Sequence, residues 1–473
     1  MAPRFFGAGT ALVGVTARVS NQIAMVLVTL VATRALDPAQ FGIFGLAAAG
    51  VTLIRTLLYS GPFEYLLKSA DAEADSSACL TINLAIATLF GVVLVTGGAL
   101  LQPLFNTSDL APILAAMAPS NLFAAFTAWQ EAHLLRTSRL QSYYLVTIAG
   151  EIFAAATAIA LLMINWGLWA LVAQAYARTL FLGVAYFILQ PRTVHRTPTF
   201  QNIKLIWVWS MARYGAVFTS FASTYGGDFI LGAMVSPAAT GLYRAASRIM
   251  TAVADLFSQP ARTIAMTAMS KRAAAGLGAA DYWPRLMMIV TVFGWSALAG
   301  LAVVAGDYAP LILGPQWNAA GPIIAVMCFS GAGTVMSAVT GPYLVAANRQ
   351  GQILKLQLLT TALTLIAIVL LARFGVLVAA AASSAILTLS HLAMLVLAIR
   401  VEPEAGGRAL RKLMLAGAAA AATAIGAFGA MALIEEAAPL RLPVAVALGI
   451  GAWLATIAIV RLEIMDGVRA LEP

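Results

Sequence analysis

The chain alternates between long apolar runs and short polar breaks. Reading the runs between clusters of charge, proline and glycine gives fourteen segments of helical length, over 8–33, 41–66, 78–102, 109–132, 142–164, 167–190, 205–234, 238–265, 284–307, 319–347, 355–373, 377–400, 411–434 and 441–461. A membrane-crossing helix needs about 20 predominantly apolar residues, so the pattern predicts an all-α integral membrane protein with about 14 transmembrane helices. The longest breaks, near 191–204 and 266–283, have room for short amphipathic pieces but not for a domain. The first run contains Arg18, is too long for a leader and lacks a small-residue cleavage site, so it reads as a span that stays in the membrane.

Composition sharpens this picture. Hydrophobic residues make up 61% of the chain and charged residues only 10%, against about 45–50% and about 25% in soluble proteins, which excludes a water-soluble enzyme. The net charge of +9 would suggest nucleic acid in a soluble chain. Here its distribution reports orientation instead. With the N-terminus inside, the inner loops and ends hold 19 Lys and Arg residues and the outer loops three, Arg34, Arg373 and Arg441. Both termini are therefore expected in the cytoplasm, with no nucleic-acid partner. Cys79 and Cys328 lie in separate apolar runs, and His133, His195 and His391 are scattered, so neither a disulfide nor a metal site is expected. No Walker A sequence, HExxH motif or nucleophile elbow occurs. The reading is a protein that is not an enzyme, holds no cofactor and does not use ATP directly.

A weak internal repeat organises the chain. RALDPAQFGIFGLA at 34–47 aligns with AMVSPAATGLYRAA at 233–246, pairing Pro38 with Pro237, Gly42 with Gly241 and Phe44 with Tyr243. Each copy is the tight outer turn between the first two helices of a six-helix unit, and both units begin inside. That makes a parallel repeat about an axis along the membrane normal, an arrangement of alternating-access transporters. The predicted division is 1–200 for helices 1–6, 201–402 for helices 7–12 and 403–473 for two further helices.

An ionised side chain near the bilayer centre costs about 2.5–3.5 kcal/mol on insertion scales, so each one needs a reason. Within the spans lie Arg18, Arg55, Arg178, Arg213, Arg244 and Arg248, with Glu64, Glu151, Asp228 and Asp255, and Glu131 near a helix end. In the eighth segment Arg244, Arg248, Thr251, Asp255, Gln259 and Arg262 follow at spacings of three and four, forming one polar face. The seventh carries Ser220, Thr224 and Asp228 with Arg213 nearer its inner end. The first carries Arg18, Asn21 and Gln22, and the second Thr52, Arg55 and Tyr59. At 1.5 Å per residue, Arg18, Arg55 and Asp255 sit about 15 Å from the inner ends of their helices, with Arg248 and Arg244 further out. Guanidinium groups in such a ladder suit phosphate, which they bind bidentately at any pH. Arg18, Arg55, Arg244 and Arg248 are the expected anion-binding residues, supported by Asn21, Gln22, Arg213, Thr224 and Asp228. Asp255 and Asp228 are either partners of these arginines or responders to a coupling ion. Glu151 and Arg178 read as a structural ion pair, while Glu64 with Ser60 and Lys68 faces a neighbouring helix. Arg213 reads equally well as a snorkelling side chain.

The stretch at 34–47, GLYRAASRI at 241–249, LGPQWNAAGPII at 313–324 and GLWALVAQAYAR at 167–178 resemble, in order and spacing, the signatures of bacterial polysaccharide transporters. These are the O-antigen and exopolysaccharide flippases of the multidrug/oligosaccharidyl-lipid/polysaccharide exporter superfamily. The resemblance implies two six-helix lobes around a central cavity lined by helices 1, 2, 7 and 8, with helices 13 and 14 at the edge. It implies a bacterial inner-membrane flippase for polyprenyl-pyrophosphate-linked oligosaccharide, acting among membrane lipids beside polysaccharide polymerase and export machinery. By position, Arg18, Arg55 and Arg248 correspond to the cavity arginines of related lipid flippases. Two alternatives stand beside this reading. A multidrug exporter of the same superfamily would place carboxylates rather than arginines in the cavity. A membrane-embedded polysaccharide polymerase or ligase would carry a sizeable outer loop, which this chain lacks.

Overall fold

The computed structural model describes residues 8–137, 139–191, 197–274, 280–434 and 440–469, and the regular structure among them is helical. Fourteen long helices follow one another: α1 (Ala8–Ala35), α2 (Pro38–Lys68), α3 (Ala72–Leu101), α4 (Leu110–Arg136), α5 (Leu140–Met163), α6 (Leu168–Leu189) and α7 (Phe200–Met234), then α8 (Pro237–Ala274), α9 (Tyr282–Leu313), α10 (Ala320–Ala346), α11 (Gln350–Leu371), α12 (Val376–Val401), α13 (Pro403–Leu433) and α14 (Arg441–Arg469). Each corresponds to one apolar segment of the sequence. Eleven of them, α2–α6 and α9–α14, are long and apolar enough to cross a membrane. Helices α7 and α8, at 35 and 38 residues, are longer than a bilayer requires. They fall short in apolarity because polar residues recur along them.

Local chemistry fixes the helix ends. Asp37 begins α2 with a capping box: its carboxylate accepts from the Gln40 amide at 2.8 Å while the Gln40 side chain accepts from the Asp37 amide at 3.3 Å. Pro38 occupies the first helical turn, where no amide donor is needed. Gly314 after α9 and Gly375 before α12 take φ of 116° and 103°, a region open to glycine and strained for other residues. Within α2, Tyr59–Phe63 form a π-helical turn around Pro62, which has no amide to donate.

The chain forms two compact units, Met1–Gly241 and Leu242–Pro473. In the first, α2, α3, α4 and α7 share a core built from Ile54, Leu57, Leu58, Ile82, Ile86, Trp129 and Tyr214. Helix α1 packs along α5, and α5 along α6. In the second, α9 packs on α10, α13 and α14. Helix α13 buries Ala409, Leu413, Ala416, Ala419, Thr423, Ala427 and Ala430, a small-residue face at helical spacing that permits close approach. Met288 and Val292 of α9 meet Ala416 and Ala419 there, with Trp453 of α14 packed alongside.

The sequence repeat has a physical counterpart inside the first unit. Gly42 of α2 and Gly241 of α8 abut. A methyl on Gly42 would overlap the Pro237 carbonyl oxygen, and one on Gly241 would overlap that of Pro38. The four aligned positions therefore make a reciprocal contact that only glycine allows, with each Cα against the other helix's carbonyl.

Candidate functional site

The first unit gathers the charges of five helices. The short turn joining α5 to α6, with Asn165 and Gly167 at φ of 62° and 57°, brings Glu151 and Arg178 together. Arg178 Nε donates to Glu151 Oε1 at 2.6 Å, and Asn21 Nδ2 from α1 donates to the same oxygen at 3.1 Å. Asn21 is thus turned toward α5, while Gln22 beside it is exposed. Arg18 lies on α1, and its side chain is outside the described residues.

Arg55 also points into this bundle. Its Nη2 donates to Thr179 Oγ1 on α6 at 3.0 Å and to Ser120 Oγ on α4 at 3.4 Å. Both hydroxyls donate onward to backbone carbonyls of their own segments, those of Ala175 and Met117, leaving their lone pairs for the guanidinium. Arg55 Nε is buried without a hydrogen-bond partner among the described residues. One turn along α2, Tyr59 Oη donates to Glu131 Oε2 at 2.7 Å, and Glu131 is 7% exposed. Sequence reasoning placed Glu131 only near a helix end and did not single out Ser120 or Thr179. The one signal available was the spacing of four that puts Tyr59 on the Arg55 face.

A second polar line on α2 starts beside Arg55, at Thr52, and winds away from it. Thr52, Thr56, Ser60, Glu64 and Lys68 recur every four residues, with Thr56 and Lys68 exposed. Glu64 pairs with Arg213 of α7. Further along α7, Ser220 and Thr224 are exposed, whereas Asp228 is 4% exposed and its backbone carbonyl accepts from Thr240 Oγ1 at 3.0 Å.

In the second unit, α8 has two distinct faces. Ala245, Ala246, Ala254, Ser258, Ala261, Ala265 and Met269 are buried. The polar line lies on the open side, with Thr251, Gln259 and Arg262 exposed and Arg244, Arg248 and Asp255 half-buried. Asp255 Oδ1 accepts from Ser258 Oγ at 3.0 Å and from Gln259 Nε2 at 3.3 Å, both on its own helix. Three guanidinium groups and one carboxylate lie along this helix face, which is too polar for hydrocarbon. Among the described residues no group of three or more His, Cys, Asp or Glu side chains could hold a metal ion.

Comparison with known proteins places this architecture. The sequence profile of a family described as "Polysaccharide biosynthesis protein" matches residues 31–322. The lipopolysaccharide biosynthesis protein WzxC of Escherichia coli (strain K12) is 22% identical over 364 residues, covering 74% of this chain and 71% of the relative. A solved structure of the lipid II flippase MurJ in an inward closed conformation superposes with a TM-score of 0.70 at 11% identity, covering 95% of this chain and 99% of the other. That likeness shows a shared fold. With its family profile matched over more than half its length, the chain is a multi-pass membrane protein that belongs to the polysaccharide biosynthesis protein family.

Proposed function

We propose that the protein is a flippase of the bacterial inner membrane. It takes a polyprenyl-pyrophosphate-linked oligosaccharide from the cytoplasmic leaflet and releases it at the periplasmic leaflet by alternating access, and both its termini are cytoplasmic. The observation that carries the reading is the open polar face of α8. Arg244 and Arg248 stand on a helix whose other face is buried alanine, in a family of polysaccharide biosynthesis proteins. Guanidinium groups bind phosphate bidentately and keep their charge through the bilayer, so this face can hold the pyrophosphate while the prenyl tail stays in lipid. Arg18 of α1 and Arg55 of α2 are further proposed phosphate-binding residues, with Asn21, Gln22, Arg213 and Thr224 in support. Arg55 reaches a phosphate by exchanging its hydrogen bonds to Ser120 and Thr179. Asp255 on the open face and the buried Asp228 are the proposed responders to a coupling ion. Polymerase and export machinery downstream would draw the product away.

The test is ligand stabilisation of the purified protein. A ligand that binds the folded state raises the melting temperature in a concentration-dependent way, by about 2.7 kcal/mol of apparent stability at 100 times Kd. Undecaprenyl pyrophosphate should raise Tm where organic cations do not, and Arg244→Ala/Arg248→Ala should abolish the rise. Stabilisation by organic cations alone would replace this reading with a multidrug exporter.

A further inference from the structure

Side chains of α2 and α7 meet in a cluster of which the reading above uses only Arg213. Lys68 Nζ lies 4.0 Å from the centroid of the Trp209 ring and Arg213 Cζ lies 4.2 Å from it. Tyr65 meets the same ring edge-on at 5.3 Å. Glu64 pairs with Arg213, and the two side chains are 40% and 44% exposed. An indole ring attracts a cation without neutralising it, so two like charges share the Trp209 ring while one carboxylate, Glu64, pairs with Arg213.

Lys68 is not engaged in closing its helix. The last carbonyls of α2 and that of Ser69 are taken instead by Arg136, whose Nη1 donates to the oxygens of Leu66, Leu67 and Ser69 at 2.8, 3.1 and 2.9 Å. A structural ion pair needs one cation, Arg213. The second cation, drawn to the same ring against its repulsion, supplies the charge that a phosphate with more than one negative charge requires. We propose that Lys68, Arg213 and Trp209 form a capture site for a lipid phosphate headgroup at the inner leaflet, with Glu64 as the placeholder that the phosphate displaces from Arg213. This deepens the flippase reading and rests on it for the side of the membrane. Ser60 and Thr56 on α2, and the exposed Ser220 and Thr224 on α7, continue from this cluster as two lines of hydroxyl side chains.

Two sources share this chemistry, the carrier-linked pyrophosphate and bulk anionic phospholipid. The test measures binding of undecaprenyl pyrophosphate and, separately, of phosphatidylglycerol to the full-length protein in neutral detergent, for wild type, Lys68→Gln, Arg213→Gln and Glu64→Gln. One basic residue at an interface contributes about a fivefold change in affinity for anionic lipid, so Lys68→Gln and Arg213→Gln should each weaken binding about fivefold. Glu64→Gln should tighten it about threefold by removing the competing carboxylate, a gain that a misfolded variant cannot show. Weakening confined to undecaprenyl pyrophosphate supports the site with the carrier as its source, and equal weakening for both lipids supports it with bulk phospholipid as its source. Wild-type binding of undecaprenyl pyrophosphate that neither Lys68→Gln nor Glu64→Gln alters overturns the site and leaves the flippase reading intact. A wild type that binds only phosphatidylglycerol, with Lys68→Gln weakening it, keeps the site and overturns the flippase reading. Failure to bind either lipid overturns both.

Discussion

The glycine contact between the two repeat copies yields a quantitative prediction. Replacing Gly42 with alanine puts a methyl group onto the Pro237 carbonyl oxygen, 2.8 Å from its carbon and 2.9 Å from the Gly241 nitrogen. Contacts are comfortable at about 3.5–4.0 Å and the overlap with the carbonyl oxygen is the deepest, so the backbones at Gly42 and Pro237 must part by roughly 1.5 Å. Overpacking of this kind costs about 1–3 kcal/mol, and the better helix propensity of alanine returns at most about 1 kcal/mol. Gly42→Ala and Gly241→Ala should each lower stability by about 1–2 kcal/mol. The contact is reciprocal, so parting the helices for one methyl makes room for the other. Gly42→Ala/Gly241→Ala should then cost less than the sum of its parts, with a coupling of about 1 kcal/mol. The control is Gly97→Ala on α3, where a Cβ meets nothing within 4 Å, and which should be neutral or stabilising. Thermal unfolding of the four variants in one detergent compares them directly. Gly42→Ala as stable as Gly97→Ala, or a strictly additive double variant, would refute the reasoning.

Four further variants test the charged side chains and their partners. Tyr59→Phe leaves Glu131 Oε2 without its 2.7 Å donor and should lower stability by about 1–3 kcal/mol, seen as a lower Tm with helix content unchanged. Glu151→Gln breaks the pair with Arg178. Losing a buried partner costs about 3–5 kcal/mol, which the 38% exposure of the arginine side chain reduces to about 1–3 kcal/mol; Asn21→Ala, removing the secondary donor, should cost about 1 kcal/mol. Asp255→Asn, on the open face of α8, should change stability by under about 0.5 kcal/mol, yet under the proposed coupling role it should alter the dependence of transport on an imposed ion gradient.

Much of this architecture was legible in the chain. Apolar length and the breaks between runs mark all fourteen helices, because a bilayer-crossing segment has few ways to be written. The α8 face was legible for a related reason: polar residues at spacings of three and four leave alanines on the opposite side, and those alanines are what the structure buries. Rotation of α2 was not legible. It carries two polar lines, Arg55 with Tyr59 and Thr52 through Lys68, and spacing alone does not say which one faces the bundle. The π turn at Tyr59–Phe63 shifts the register between them. The partners of Arg55, Ser120 and Thr179, are uncharged hydroxyls and give no electrostatic signal. On α7 the line Ser220, Thr224, Asp228 reads as one stripe, yet Asp228 is buried with Gly227, Leu231 and Gly232 while the other two stay open. The repeat shows that Gly42 and Gly241 are equivalent, and only the folded structure shows that they touch.

The central claim is that this protein moves a lipid-linked pyrophosphate across the membrane. Its most direct test reconstitutes the full chain into proteoliposomes with a fluorescent undecaprenyl-pyrophosphate oligosaccharide and follows the label's exposure to a membrane-impermeant quencher. The account predicts protein-dependent translocation that Arg244→Ala/Arg248→Ala slows to the rate of protein-free vesicles. Translocation no faster with the wild-type protein than without it, in vesicles where the protein is folded and carries an imposed ion gradient, would contradict it.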